Sequence, residues 1–140
     1  MSGLAPLLAR RHPAGVYRWE AAYDVDQVAS VVHAAHWSFH HVDGVAAATK
    51  RELLAALGVA LEFPATYGQN LDALADLLDD LAGPTLLLWD EWGLLAREDE
   101  RTFATLLQIF SERADDAVRP PFAVLLRGAG PEVVGLGLLD

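Results

Sequence analysis

The chain has 140 residues and no cysteine, a length typical of one domain and a composition that excludes disulfide bonds and thiolate catalysis. Its formal net charge is −10, and residues 62–116 carry the whole excess, with thirteen acidic and three basic side chains. This charge argues against direct nucleic-acid binding, which needs cations against the phosphates, and it attracts basic partners. Charge alone leaves a second interpretation open, because an acidic surface also keeps a protein in solution.

The N-terminal third predicts a short strand and a helix. No apolar run reaches the ~18 residues of a membrane helix. A secretory signal places its basic residues before its apolar stretch, whereas Arg10 and Arg11 follow the short apolar stretch of this chain. We therefore expect a cytoplasmic protein without membrane contact. Residues 1–15 are expected to form an irregular lead. Val16–Trp19 fits a short strand, and Asp24 with Gln27 fits a capping box for a helix of about Val25–Ala35.

A strand and a second capped helix follow. Trp37–Val42 is strand-like, with aromatic residues and partial alternation, and Asp43-Gly44 closes it as a turn. Thr49 and Glu52 fit a capping box, which predicts a helix from Lys50 to about Leu61.

The stretch FPATYGQNLDALADLLDDL, residues 63–81, combines a loop, a turn and an acidic helix. Pro64 and Gly68 mark the loop and turn, since glycine permits a positive φ, and Asn70 is a good N-cap. Leucines repeat with helical spacing at Leu71, Leu74, Leu78 and Leu81. Aspartates occupy another face at Asp72, Asp76, Asp79 and Asp80. No Lys or Arg lies in sequence between Arg51 and Arg97 to offset these charges.

The C-terminal part predicts two buried strands around a long helix. Thr85–Trp89 and Phe122–Arg127 are nearly all apolar, as expected of strands buried on both faces of a parallel sheet. Residues 90–98 are expected to form an irregular connection, and a helix is expected from about Asp99 to Ala117. Strands that alternate with helices favour an α/β fold with a parallel sheet and right-handed crossovers. We expect a single domain over residues 16–128 and a weakly ordered C-terminal tail over residues 129–140.

The residues give little support for catalysis or for a cofactor. The chain has no glycine-rich phosphate loop and no G-x-S-x-G elbow. Asp72 and Asp76 lie one turn apart on one helix, so they point the same way and do not flank a substrate bond. His40 and His41 face opposite sides of a strand and cannot both meet one ion. We predict that the protein is not an enzyme and needs neither cofactor nor metal.

The motif YGQNLDALADLL resembles the signature of the barstar family, intracellular inhibitors of the ribonuclease barnase. Downstream, PTLLLW and LLQIFSER resemble the second strand and third main helix of that family. The resemblance covers about residues 37–127. It implies a three-stranded parallel sheet covered by helices, to which Val16–Trp19 adds a fourth strand by our own inference.

The resemblance implies that the acidic helix and its adjoining loop plug the active site of a basic ribonuclease. The partner would then be a basic ribonuclease or a similar basic toxin, and the chain would act as an immunity protein or antitoxin that is a monomer when free. The alternative is a barstar-like regulatory module for a basic protein that is not a nuclease; an enzyme or metal-binding protein is a third hypothesis. Matched position by position, the residues implied to bind the partner are Thr66, Tyr67, Gly68, Asn70, Asp72, Ala75, Asp76, Asp79, Asp80 and Glu112.

The chain departs from the family at three aromatic positions. Thr66 replaces a loop aromatic, Ala75 replaces a tryptophan in the acidic helix, and Leu81 replaces an aromatic at the helix end. Aromatic anchors carry much of the energy of an interface. We therefore expect the charges to be kept while the shape contacts differ, so that barnase itself would be bound more weakly than the natural partner.

Overall fold

The computed structural model describes residues 3–140, so the first two residues of the predicted lead lie outside the described part. The helices and strands in chain order are α1 (Leu4–Leu8), β1 (Val16–Arg18), α2 (Val25–Ala34), β2 (Ser38–Asp43), α3 (Lys50–Ala60), α4 (Leu71–Asp79), β3 (Thr85–Asp90), α5 (Gly93–Glu98), α6 (Glu100–Asp115), β4 (Phe122–Arg127) and β5 (Gly137–Leu138).

The sheet has five parallel strands in the order β2-β3-β4-β1-β5. The α/β class and the parallel sheet are confirmed, whereas the expected three or four strands are corrected to five. The extra strands come from the two ends of the chain: β1 pairs with β4, and the two-residue β5 pairs with β1. The sequence predicts β1 as Val16–Trp19, whereas the two residues of β5 are too few to show an alternating pattern.

The central strands β3 and β4 divide the core into two layers. Their side chains are buried on both faces, as the apolar runs predict. One face packs against α3, α4, α5 and α6 through residues such as Leu87 and Leu126. The other face, with Leu86 and Leu125, packs against α1 and α2.

The predicted capping boxes are confirmed. Asp24 accepts the amide of Gln27 at 2.8 Å, and the Gln27 side chain accepts the amide of Asp24 at 2.9 Å. Thr49 and Glu52 make the same reciprocal pair at the start of α3. Each box satisfies helix N–H groups that have no intrahelical partner.

Three segments expected to be irregular or weakly ordered are structured. In the predicted lead, α1 buries Leu4, Leu7 and Leu8, because these leucines cover the back of the sheet. The predicted connection 90–98 contains α5. In the predicted weak tail, Leu139 is 3% exposed and its amide donates to the Arg18 carbonyl at 2.8 Å.

None of the helices within residues 3–140 is both long and apolar enough to cross a bilayer.

Candidate functional site

The start of α4 is fixed by its N-cap. Asn70 has extended backbone dihedrals, and its side-chain oxygen accepts the Ala73 amide at 2.8 Å, which confirms the predicted cap. The backbone turns with a positive φ of 52° at Gln69, not at Gly68, which corrects the expected role of that glycine. Gly68 instead gives space, because an added Cβ would lie 2.9 Å from Asn70 Nδ2.

The loop before α4 is held by Tyr67. Its hydroxyl donates to the Leu54 carbonyl of α3 at 3.0 Å, and its ring meets Phe63 edge-on at 5.0 Å. An added Cβ at Gly58 would lie 2.8 Å from the ring, so α3 and the loop are in close contact. Burial raises the pKa of the Tyr67 hydroxyl. The structure therefore turns Tyr67 toward the core and leaves the neighbouring Thr66 exposed.

Asp72 and Asp76 project from the solvent side of α4. Both are exposed, whereas Leu74 and Leu78 on the opposite side are fully buried. Within residues 3–140, no basic group lies within ion-pair distance of either carboxylate. Asp72 lies in the first turn, where the helix dipole stabilises a negative charge. Asp76 has no such compensation.

A groove lies between α4 and α6, and Ala75 and Asp79 line its α4 side. Its volume is about 240 Å³. Glu112, which accepts the Gln108 side chain at 3.0 Å, lies at this groove, so the structure brings it together with α4 as the family match implies. The lining residues are Ala75, Asp79, Ile109, Glu112, Arg113 and Asp116.

A buried arginine that the sequence analysis missed anchors the end of α4. Arg113 is 3% exposed, and its Nε donates to the Leu78 carbonyl at 2.8 Å. Its Nη2 donates to the Pro120 carbonyl at 2.9 Å, and the guanidinium lies over the Phe122 ring at 5.6 Å. Burial lowers the pKa of Arg113, and the nearby carboxylates act in the opposite direction. Cations at a helix C-terminus stabilise both the free carbonyls and the dipole.

Arg119 brings a second cation to the same end. Its Nε donates to the Asp79 carbonyl at 3.1 Å and lies 3.9 Å from the Asp79 carboxylate, while Nη1 contacts Asp116 at 2.7 Å. The acidic helix therefore does have cationic neighbours, from a distant part of the sequence. Asp79 is paired, Asp80 is exposed at the C-cap, and Asp72 and Asp76 form the unpaired part of the face.

The two strand histidines have separate partners. His40 Nδ1 contacts the Ala60 carbonyl at 2.6 Å, and His41 Nε2 contacts Asp90 at 2.8 Å. Among the described residues, no group of three or more His, Asp or Glu side chains is arranged to hold a metal ion.

The fold and this face define a class: a small parallel α/β protein that presents an acidic helix beside an interhelical groove. The model of the family "Barstar (barnase inhibitor)" matches residues 37–127, more than half of the chain, and the chain belongs to this family. The family resemblance in the sequence is thus confirmed. Family membership supports a role in protein–protein interaction in general. No curated protein matches the chain in sequence.

Solved structures of a different protein share the fold. The Aeropyrum pernix ORC2 protein matches in its ADP form, with a TM-score of 0.64 and 19% identity, over 91% of this chain and 39% of that chain. The same protein in its ADPNP–ADP complexes matches with a TM-score of 0.61 and 17% identity, over 91% and 38% of the two chains. The chain therefore spans less than half the length of the protein it matches, and the likeness shows the fold.

These structures correct the prediction of a ribonuclease inhibitor. The structures that match this fold over nine-tenths of the chain belong to an ORC2 protein. The prediction that the chain inhibits a basic ribonuclease is therefore wrong. The immunity or antitoxin role, which depended on that prediction, is wrong with it. Family membership remains, and with it the more general role in binding another protein.

Proposed function

We propose that this chain is a protein-binding module that docks the cationic surface of another protein on the acidic face of α4 and α6. The observation that carries this proposal is the exposed, unpaired state of Asp72 and Asp76 on α4, the helix whose Ala75 and Asp79 line a groove together with Glu112 of α6. Each carboxylate is a strong acceptor that has no cationic partner within the described chain. A partner's Arg or Lys would form charge-assisted hydrogen bonds there, which are stronger than bonds between neutral groups.

The face is rigid before any partner arrives. Asn70 caps the start of α4, Tyr67 ties the preceding loop to α3, and Arg113 binds the carbonyl at the helix end. A preorganised surface loses little conformational entropy on binding, which leaves more of the interaction energy as affinity. Three of the residues matched to the family's contact set therefore hold the surface in place: Tyr67 and Asn70 through hydrogen bonds, and Gly68 as part of the turn before α4.

A charge-matched pair of variants tests the proposal. Proteins captured by the chain at low salt are purified singly and titrated against Asp72→Asn/Asp76→Asn and against Asp26→Asn/Glu98→Gln, whose two acids are also exposed but lie on α2 and α5. The first variant is expected to lose more than about 2 kcal/mol of binding free energy, the size seen when a desolvated charge pair is broken. The control is expected to bind like the wild type. Equal losses in both variants would show that only the total charge matters and would refute a site on α4.

The association rate gives a second readout of the same face. Attraction between an acidic face and a basic partner should raise kon above the ~10⁵–10⁶ M⁻¹s⁻¹ of neutral pairs. The rate should fall as added salt shortens the Debye length, which is about 10 Å at 0.1 M. A rate that does not change with salt would argue that the captured partner binds elsewhere.

A further inference from the structure

A charged cluster lies at the carboxyl ends of β3 and β4. Asp90 ends β3 and Arg127 ends β4, in adjacent register. Arg127 Nε and Nη2 donate to the two carboxylate oxygens of Asp90 at 2.6 and 3.0 Å, and His41 contacts the same carboxylate at 2.8 Å. The Asp90 and Arg127 side chains are only 20% and 16% exposed, so the pair is largely desolvated.

Arg127 also binds the connection between β1 and α2. Its Nη1 donates to the carbonyls of Tyr23 and Ala21, and its guanidinium lies 5.8 Å from the centre of the Trp19 ring. The segment after β1 therefore turns the carbonyl oxygens of Ala21 and Tyr23 toward the Arg127 guanidinium. These contacts join residues 19–24, which precede the family match, to the last strand of the matched region.

The loops that follow β2, β3 and β4 are held against one another by hydrogen bonds. The Gly44 amide donates to the Asp90 carbonyl and the Glu91 amide to the Arg127 carbonyl, both at 2.7 Å. The Trp92 indole donates to the Gly128 carbonyl at 3.2 Å. An added Cβ at Gly44 would lie 2.3 Å from the Glu91 carbonyl oxygen, so these loops are already at contact distance.

This edge is where open parallel sheets hold their ligands, with phosphates at the helix N-terminus that follows the first strand. The matched ORC2 structures are an ADP form and ADPNP–ADP complexes, but the residues at this edge of the sheet do not fit an adenine nucleotide. The N-terminus of α2 carries the Asp24 carboxylate, which already accepts the Gln27 amide. The cavity beside β1 holds about 220 Å³, below the ~300–1,000 Å³ of ligand pockets, and Glu20 and Glu132 line it.

We propose that the carboxyl edge of this sheet takes no adenine nucleotide and is instead closed by an ionic latch formed by Asp90, Arg127 and His41. The latch holds the β1–α2 unit on the part of the chain that matches the family. A bidentate Arg–carboxylate pair suits this role, since its geometry fixes both strand ends, and the remaining guanidinium hydrogens reach the two carbonyls of the β1–α2 connection.

Calorimetry with magnesium and ADP tests the first half of the proposal. The full chain is titrated with Mg-ADP and then with Mg-ATP, beside a nucleotide-binding protein as a positive control. No saturable heat is expected up to about 1 mM ligand. Saturable binding in the micromolar range would overturn the proposal, whatever the outcome at the acidic face.

Hydrogen exchange tests the second half. In Arg127→Leu, amides of residues 16–24 should exchange at least about tenfold faster, while those of α4 keep their protection. Arg97→Leu, on the exposed surface of α5, is the matched control and should change neither region. If Arg127→Leu does not fold, Arg127→Lys and Asp90→Asn replace it and should show the same regional loss. Unchanged protection at residues 16–24, or an equal loss in α4, would overturn the latch.

Discussion

Asp72, Asp76 and Asp79 lie on one helix but differ in what surrounds them. Arg119 pairs with Asp79, forty positions earlier in the chain, whereas Asp72 and Asp76 face solvent. An exposed ion pair contributes about 0–1 kcal/mol, so Arg119 adds little stability. Its effect is to divide the acidic face into a paired end and an unpaired end. A partner's cations would find the free carboxylates of α4 at Asp72 and Asp76, ahead of the Arg119–Asp79 pair in the chain.

The residues of the preceding loop have a structural part in the candidate site. The Tyr67 hydroxyl is already bonded to Leu54, and the Asn70 oxygen to the α4 backbone. Changes at either residue would alter the position of the face and not only its contacts. With Thr66 and Ala75 in place of aromatic side chains, the proposed docking face offers charge and little aromatic area.

The Asp90 carboxylate makes the free energy of unfolding depend on pH. Burial raises its pKa, but the hydrogen bonds from Arg127 and His41 outweigh burial and hold the pKa below its ordinary value. Because the pKa of Asp90 is lower in the folded than in the unfolded protein, its ionised carboxylate stabilises the fold. This stabilisation is complete above the pKa of the unfolded state, about 3.9, and is lost as the pH falls through the pKa of the folded state. The difference in unfolding free energy between wild type and Asp90→Asn should therefore shrink below about pH 3.9. Urea titrations at several pH values measure it.

The matched control for this prediction is Asp26→Asn, an exposed aspartate in the first turn of α2. Its difference from wild type should change less with pH than that of Asp90→Asn, because the helix dipole stabilises an exposed first-turn carboxylate by only about 0.3–1 kcal/mol. A difference for Asp90→Asn that stays constant with pH would mean that the Arg127 pair does not contribute through the charge of the carboxylate.

At the scale of the element, α4 depends on its surroundings. It has nine residues, and isolated helices shorter than about 12–15 residues are marginal in water. Its order comes from the Asn70 cap, the fully buried Leu74 and Leu78, and the Arg113 bond at its end. The acidic face is thus presented by a helix that is fixed at both ends.

Replacing Arg113 by methionine should destabilise the protein by about 1.5–3 kcal/mol, the range for hydrogen bonds to a charged group. Methionine keeps much of the buried length but removes the guanidinium hydrogen bonds to the carbonyls of Leu78 and Pro120. Chemical denaturation measures the change. Arg101→Met, on the exposed surface of the same helix, should lie close to wild type. Equal stability of the two variants would show that water replaces the guanidinium without cost.

The elements that sequence predicts well are those set by neighbouring residues. The caps at Asp24, Thr49 and Asn70 and the apolar runs of β3 and β4 each depend on a few adjacent side chains, and the structure confirms them. The helices α1 and α5 and the strand β5 are too short for a periodic pattern. The placement of Arg113 against Leu78 joins residues 35 positions apart, which no local pattern encodes.

At the scale of the whole molecule, the two ends of the chain complete the sheet. The family match supplies β2, β3 and β4 with the helices of one face. The back of β3 and β4 is covered by α1 and α2, and β1 and β5 extend the edge. The back layer thus has fully buried residues from both the matched region and the N-terminal segment, such as Leu86, Leu125, Leu4 and Val28.

A chain reduced to residues 37–127 should therefore fail to reach the native state alone. It would expose the back of β3 and β4, and a contiguous apolar surface of more than a few hundred Å² leads to association or to loose packing. We expect weak near-ultraviolet circular dichroism from the tryptophans, binding of a hydrophobic dye, and aggregation in size-exclusion chromatography. The full chain and an Arg97→Leu variant of it serve as folded controls. Adding residues 1–36 as a separate peptide should restore part of the near-ultraviolet signal. Cooperative unfolding of the shortened chain at the midpoint of the full chain would show that the N-terminal segment is dispensable, and that the back layer contributes less than its burial indicates.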